Sequence, residues 1–222
     1  MNSSLPPTNI ASEKVRAALY EIAATTNAAE DLDEFYAAIH GIVGELMYAR
    51  NFYVALHDPN ADTLSFPYCV DEVDPPPVTR PLRKGLTEYV LQTGEPLLMP
   101  DEDFPAMIAT GKVESVGSPS VDWLGVPLKS RGRTFGVLVV QSYDPRFRYG
   151  STDREVLTFV SQQIAVAIER KGAQEAVRES EERYRLLFER NMPSPSGCRA
   201  DSNLPALFDK FCRLQALRAY VD

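Results

Sequence analysis

A chain of 222 residues with 44% hydrophobic and 24% charged side chains has the length for one sizeable core plus an appendage. Its net charge of −8 excludes a duplex nucleic-acid binder, which needs clustered Lys and Arg to neutralise phosphates. No apolar run approaches about twenty residues and no basic-then-apolar leader occurs, so neither a membrane span nor a signal peptide is expected. The widely spaced, odd set Cys69, Cys198 and Cys212 fits a reducing cytoplasm better than a disulfide framework.

Residues 1–11 contain Pro6-Pro7 and little periodicity, and read as a loose leader. Ser12 offers an N-cap before a helix striped by Val15, Leu19 and Ile22. A second helix over about 29–48 carries Leu32, Phe35, Ile39, Val43 and Leu46 at 3–4 spacing, the mark of an amphipathic helix with one buried face. Alternation over 51–57 and 63–69, around Asp58-Pro59-Asn60-Ala61-Asp62, predicts a hairpin. Leu64, Phe66 and Tyr68 would share a face, and Pro67 marks an edge strand or a bulge. The stretch 71–81, with Pro75-Pro76-Pro77, is irregular. Gly85 precedes a short helix that Gly94 ends, and Leu97-Leu98-Met99 is a brief strand. Residues 121–143 form a central hairpin turning at 129–133. Its second strand is apolar on both faces, with Phe135, Val137, Val139, Gln141 and Tyr143 on one side, and Gly136 admits a close backbone approach.

Thr152-Asp153-Arg154-Glu155 reads as a capping box opening a helix that runs to about residue 189. Leu157, Val160, Ile164, Ala167 and Ile168 make one stripe for the domain body. A second row, Val156, Phe159, Gln163, Val166, Arg170, Ala173, Val177, Ser180, Tyr184 and Leu187, has seven apolar members of ten, as in a dimeric coiled-coil seam. Gly172 weakens its middle by about 1 kcal/mol relative to Ala. A helix this long needs a partner to bury its apolar row.

The order of elements, with residues 51–57, Gly85-Leu86-Thr87-Glu88-Tyr89-Val90, Trp123-Leu124-Gly125-Val126-Pro127-Leu128 and Phe135-Gly136-Val137-Leu138, resembles a GAF domain of a multidomain bacterial signalling protein. The resemblance implies an α+β fold (often filed as α/β). Its mainly antiparallel sheet of five or six strands would be covered on one face by the two first helices and the start of the last. It places the GAF domain at 12–170, a signalling helix or coiled-coil linker with a PAS entry at 171–190 and a truncated or atypical tail at 191–222. Glu179-Ser180-Glu181-Glu182-Arg183-Tyr184-Arg185-Leu186-Leu187-Phe188-Glu189 and Asn191-Met192-Pro193 resemble the start of a PAS domain. That likeness ends after Gly197, where Leu204, Leu207, Phe208, Phe211, Leu214 and Leu217 predict a short helix.

The chemistry visible in the sequence is sparse. His40 and His57 lack ligand partners at metal spacing, and neither fits a phosphoacceptor motif, so both read as structural. Asp71-Glu72-Val73-Asp74 and Asp101-Glu102-Asp103 lack the staggered spacing of a cation loop and read as solvated loops. No phosphate loop, cyclic-nucleotide signature, ATP site or cyclase motif occurs, and no metal or cofactor is expected. Some GAF proteins reduce free methionine sulfoxide through paired cysteines, and others attach a bilin. Cys69 has no cysteine or histidine neighbour for either task. Phe52, Phe66, Tyr68, Tyr89, Trp123, Phe135 and Tyr143 either wall a small-molecule pocket, with Asp122 and Gln141 orienting a polar ligand, or fill a dry core. The expected role is a cytoplasmic, non-enzymatic sensory module. It would act as a homodimer, with a seam of Val156, Phe159, Val166, Ala173, Val177, Tyr184 and Leu187, controlling a downstream PAS, kinase or cyclase domain. A ligand-free dimerisation scaffold is the alternative, and a methionine sulfoxide reductase the third reading.

Overall fold

The computed structural model describes the backbone of residues 7–29 and 31–191 and the side chains of 13–29 and 31–186. Helix α1, Pro7–Ala28, starts before the expected Ser12 cap, because proline at a first helical position needs no N–H partner. Residues 7–11 therefore belong to a helix, not to a leader. Helix α2, Leu32–Leu46, is capped by Asp31, whose carboxylate accepts from the Glu34 amide at 2.8 Å. Strand β1, Asn51–Asp58, and strand β2, Thr63–Val70, follow as the predicted hairpin. Then come the two-residue β3, Arg80–Pro81; α3, Leu86–Thr93; β4, Leu97–Pro100; and a short α4, Phe104–Ala109. Gly94 ends α3 at φ 66°, and its amide donates to Val90 O at 2.8 Å. The central hairpin is β5, Asp122–Ser130, and β6, Arg133–Ser142. It turns on Arg131 and Gly132, both at positive φ (51° and 77°), the two-residue geometry that matches strand twist. Helix α5, Ser151–Asn191, is the last described element.

The six strands form one antiparallel sheet in the order β3-β2-β1-β6-β5-β4. Two bulges decide which side chain meets which face. Val54 pairs with Tyr68 and Leu56 with Ser65, so Phe66 and Pro67 together oppose Ala55. Leu64 and Phe66 face one way, and Tyr68 is turned to the other. Leu128 pairs with Gly136 and Lys129 with Thr134, which leaves Phe135 as the extra residue of β6. Phe135 is thereby removed from the face of Val137 and Val139 on which strict alternation places it.

Against one face pack α1, α2 and α5. Phe35, Ile39 and Val43 of α2, and Leu157, Val160 and Ile164 of α5, are fully buried against Phe52, Val54, Leu124, Leu138 and Val140. Each such side chain stabilises by roughly 1.5–3 kcal/mol. His40 locks this layer: its ring stacks on Phe52 at 4.7 Å, Nε2 donates to Ala49 O at 2.6 Å, and Nδ1 accepts from Tyr68 OH at 3.0 Å. The tautomer follows because a carbonyl can only accept. The opposite face carries a smaller cluster of Ala55, Leu64, Val90, Leu91, Met99, Trp123, Val137 and Val139 beneath α3. Strand β6 is thus covered on both sides.

At the start of α5, Asp153 supplies the cap. Its carboxylate accepts from the Gly150 amide at 2.8 Å, two residues earlier than the box read at Thr152–Glu155. Farther along, Ser130 Oγ donates to Glu169 Oε2 at 2.5 Å, and the buried Lys171 ammonium donates to Ala29 O at the end of α1. Phe159, Val166 and Ala173 are exposed on α5, whereas Val156 of the expected seam packs partly into the helix-side core. The chain divides into two units, Met1–Ala176 and Val177–Asp222. In the second, residues 177–191 are helical, with Val177 and Tyr184 exposed. The Leu187 side chain, the tail from 192 with its predicted helix, Cys198 and Cys212 lie outside the described residues. Among the described residues no helix is long and apolar enough to cross a membrane.

A Cβ at Gly136 would stand 2.6 Å from Ala55 O, a backbone atom that cannot move without the sheet. Gly136→Ala is expected to destabilise by about 1–3 kcal/mol and to lower the thermal midpoint by several degrees. An unchanged melting curve would contradict this close approach.

Candidate functional site

Beyond the second face of the sheet lies a cavity of about 550 Å³, between α3, α4 and the loops that hold Asp71–Pro77 and Glu114–Ser120. Alternation delivers its floor: Tyr53 and Cys69 are paired across β1 and β2, and Gln141 faces Trp123 across β6 and β5. Phe66 reaches the same side through its bulge. The indole of Trp123 lies over Gly125, where a Cβ would come within 2.1 Å of the ring. Its Nε1 donates to Tyr53 OH at 3.2 Å, and that hydroxyl shares a 2.9 Å hydrogen bond with Thr87 on α3. Burial pushes the Tyr53 phenol up to about 12, against the opposing hydrogen bonds from Thr87 and Trp123.

The rim is built by carboxylates. Asp71 accepts from the amides of Val73 and Asp74 at 2.8 Å each. Its Oδ2 takes Gln141 Nε2 at 2.5 Å and Tyr143 OH at 3.2 Å. Asp74 holds the facing loop, accepting from the Ser118 amide at 2.8 Å and its hydroxyl at 2.6 Å. Asn51 ties the same loop to the sheet, accepting from the Glu72 amide at 2.8 Å and donating to Gln141 O at 3.1 Å. These aspartates are therefore wired into the site, which corrects their reading as solvated loop charges. Asp101 and Glu102 are ion-paired with Arg148 at 3.4 and 2.7 Å.

Glu88 of α3 is 1% exposed. Its Oε1 accepts from Arg80 Nη1 at 2.5 Å and the Arg83 amide at 3.0 Å, and Arg80 lies 5.5 Å over the Phe66 ring. Removing one partner of so buried a pair costs about 3–5 kcal/mol. Sequence reasoning passed over Glu88 and Arg80. The available signal was a carboxylate three residues before Leu91, on the apolar side of α3.

Of the predicted ligand residues, the structure brings Phe66, Trp123 and Gln141 to the cavity. Phe52, Tyr68 and Phe135 belong to the helix-covered face, the last two because of the bulges. Asp122 shares that side with Leu124. Its Oδ2 accepts from the Tyr149 amide at 2.6 Å, Oδ1 pairs with Arg148 Nε at 3.0 Å, and burial raises its carboxyl despite both. Tyr143 acts through Asp71 and Gln141, and Tyr89 is half-buried on α3 away from the cavity lining. Cys69 lines the cavity with its thiol pushed up to about 11 by burial and by Asp71 and Asp74. Among the described residues no group of three or more His, Cys, Asp or Glu side chains is placed to hold a metal ion.

An open antiparallel sheet with helices on one face, a loop-walled cavity on the other and the long α5 defines the class of α+β domain. The chain belongs to the GAF domain family, whose model matches residues 29–169. No curated protein matches the sequence. Its fold is similar to that of the GAF domain of a phosphoenolpyruvate-protein phosphotransferase from Coxiella burnetii, at 16% identity and TM-score 0.59 over 74% of this chain and 98% of that one. It is also similar to free methionine-R-sulfoxide reductase from Neisseria meningitidis in complex with its substrate, at 19% identity and TM-score 0.58 over 78% and 98%. Residues 122 to 287 of a methyl-accepting chemotaxis protein match at 17% identity and TM-score 0.52 over 71% and 99%. At these identities the likeness is one of fold.

Trp123 is 4% exposed, so Trp123→Ala is expected to cost about 3–5 kcal/mol in denaturant unfolding; an unchanged midpoint would place the indole outside the core. Tyr53 gives an alkaline signature. A phenol held near 12 when folded and near 10 when unfolded ionises first in the unfolded chain, so its contribution is present below pH 10 and lost as pH rises towards 12. Urea unfolding across that window should show stability falling with pH, less steeply in Tyr53→Phe. Equal slopes would mean that the phenol is not held neutral.

Proposed function

We propose that this GAF domain is a non-catalytic sensor that binds a small molecule in the cavity and acts as a homodimer through α5. The carrying observation is the pairing of a cavity of about 550 Å³ on one face of the sheet with a helix on the other that exposes Phe159, Val166 and Ala173 in a 3–4 row. One sheet lies between them. Val137 and Val139 of β6 belong to the cavity-side cluster, and the intervening Leu138 and Val140 to the core that holds α5. A ligand that favours one position of this strand biases the packing of α5, and two packings of a helix pair suffice to pass the bias to a downstream domain.

The reductase reading has one specific observation behind it, Cys69 in the cavity wall. The thiolate is the reactive form, and a thiol held near 11 supplies little of it at neutral pH. Free methionine sulfoxide should therefore not be consumed by the chain with a thiol reductant. Turnover lost in Cys69→Ser would overturn the non-catalytic reading.

Native mass spectrometry of protein purified gently from its source tests the sensor directly. A dimer with a retained small-molecule mass is expected; an empty dimer would favour the scaffold. Val166→Asp, at a position 57% exposed, should abolish the dimer in sedimentation while leaving the melting curve within about 0.5 kcal/mol of the parent. An unchanged dimer would refute the α5 seam.

A further inference from the structure

We propose that the cavity selects a small organic cation bearing N–H donors, an ammonium, amidinium or guanidinium on a flat or apolar body, with Glu88 as its anchor. This deepens the sensor reading and rests on it. Five carboxylates line the cavity, Asp71, Asp74, Glu88, Asp101 and Glu114, against the single guanidinium of Arg80. Arg80 is already bound to Glu88 Oε1, and the whole chain carries a charge of −8. An incoming anion meets this field with no free guanidinium to receive it, whereas a cation is drawn in.

All five carboxylates have partners, Glu88 through Oε1 alone. Asp71 and Asp74 are held by amides and hydroxyls, Asp101 pairs with Arg148, and Glu114 lies 3.9 Å from Lys84. Glu88 differs. Among the described residues its Oε2 is buried with no hydrogen-bond partner, on a side chain that lines the cavity. A buried carboxylate oxygen without a donor is costly, and a ligand N–H removes that cost.

Gly85 adds a second, independent sign. Its backbone, at φ −81° and ψ 176°, suits any residue, so conformation does not call for glycine. Space does: a Cβ there would stand 2.7 Å from Glu88 Oε2 and 3.5 Å from Val116. The missing side chain leaves the Gly85 side of this donor-less oxygen clear of any Cβ. Phe66 and Trp123 supply ring surface in the same wall for the body of the ligand, where aromatic faces also attract cations.

Three nearly isosteric probes separate charge from shape: benzamidine, benzamide and benzoate, titrated calorimetrically into the full chain. Benzamidine is expected to bind at least about tenfold more tightly than benzamide, with benzoate weakest. Glu88→Gln should erase the preference for the cation. Gly85→Ala, which keeps every charge, should weaken benzamidine by about tenfold, and it carries the test if Glu88→Gln does not fold. Benzamide or benzoate binding as well as benzamidine would overturn the charge selection and leave the sensor reading standing. Unchanged affinity in Gly85→Ala would overturn the anchor. Binding of none of the three would overturn the cation pocket and count against the sensor as well.

Discussion

The burial of β6 on both faces is the constraint from which the rest of this domain follows. Val137, Leu138, Val139 and Val140 are all fully buried, so each face must carry its own cover. Three helices cover one side with a continuous apolar core. The other side has the short α3 and α4, a smaller cluster and loops, and a cavity remains where the loops bridge over the sheet. The asymmetry between a closed face and an open one therefore arises from how much helix each side receives.

Loops over a sheet must satisfy their own backbone groups, and here carboxylates do it. Asp71 and Asp74 accept from the amides of residues 73, 74 and 118, so the proline-bearing segment and the glycine-bearing segment that face each other are fixed at definite points. The same arrangement concentrates negative charge around the cavity. A feature that stabilises the loops thus also sets the electrostatics of the space they enclose.

How much of this was legible in the sequence depends on the kind of signal. The stripe Phe35, Ile39 and Val43 and the stripe Leu157, Val160 and Ile164 repeat over several turns, so one irregularity cannot hide them, and both lie where the periodicity put them. Strand faces carry no such redundancy. A one-residue bulge inverts every side chain beyond it, and the bulges at Phe66-Pro67 and at Phe135 turned Tyr68 and Phe135 away from the cavity. Pro67 signalled the first. Beside Phe135 only Gly136 signals the second, and a strand glycine fits a close approach as well as a bulge. Glu88 was missed for another reason: its environment is created by Arg80 and Gly85, brought together only by the turn into α3.

The two polar ties on α5 bear on how a sensor of this shape could work. Apolar packing between Ile164 or Ile168 and the sheet is non-directional and tolerates small sliding. The bonds from Ser130 to Glu169 and from Lys171 to Ala29 O are directional, and they sit where the buried stripe of α5 ends. The lysine ammonium lies against the carbonyl end of α1, where the helix dipole favours a cation. A buried ammonium without that carbonyl is costly, so intermediate positions of α5 are penalised relative to the docked one. Together the ties convert a soft contact into one with a definite engaged state. In the sensor reading, that is the property a helix needs if its displacement is to be all-or-none: the ligand must only supply enough differential binding energy to favour one side of the break.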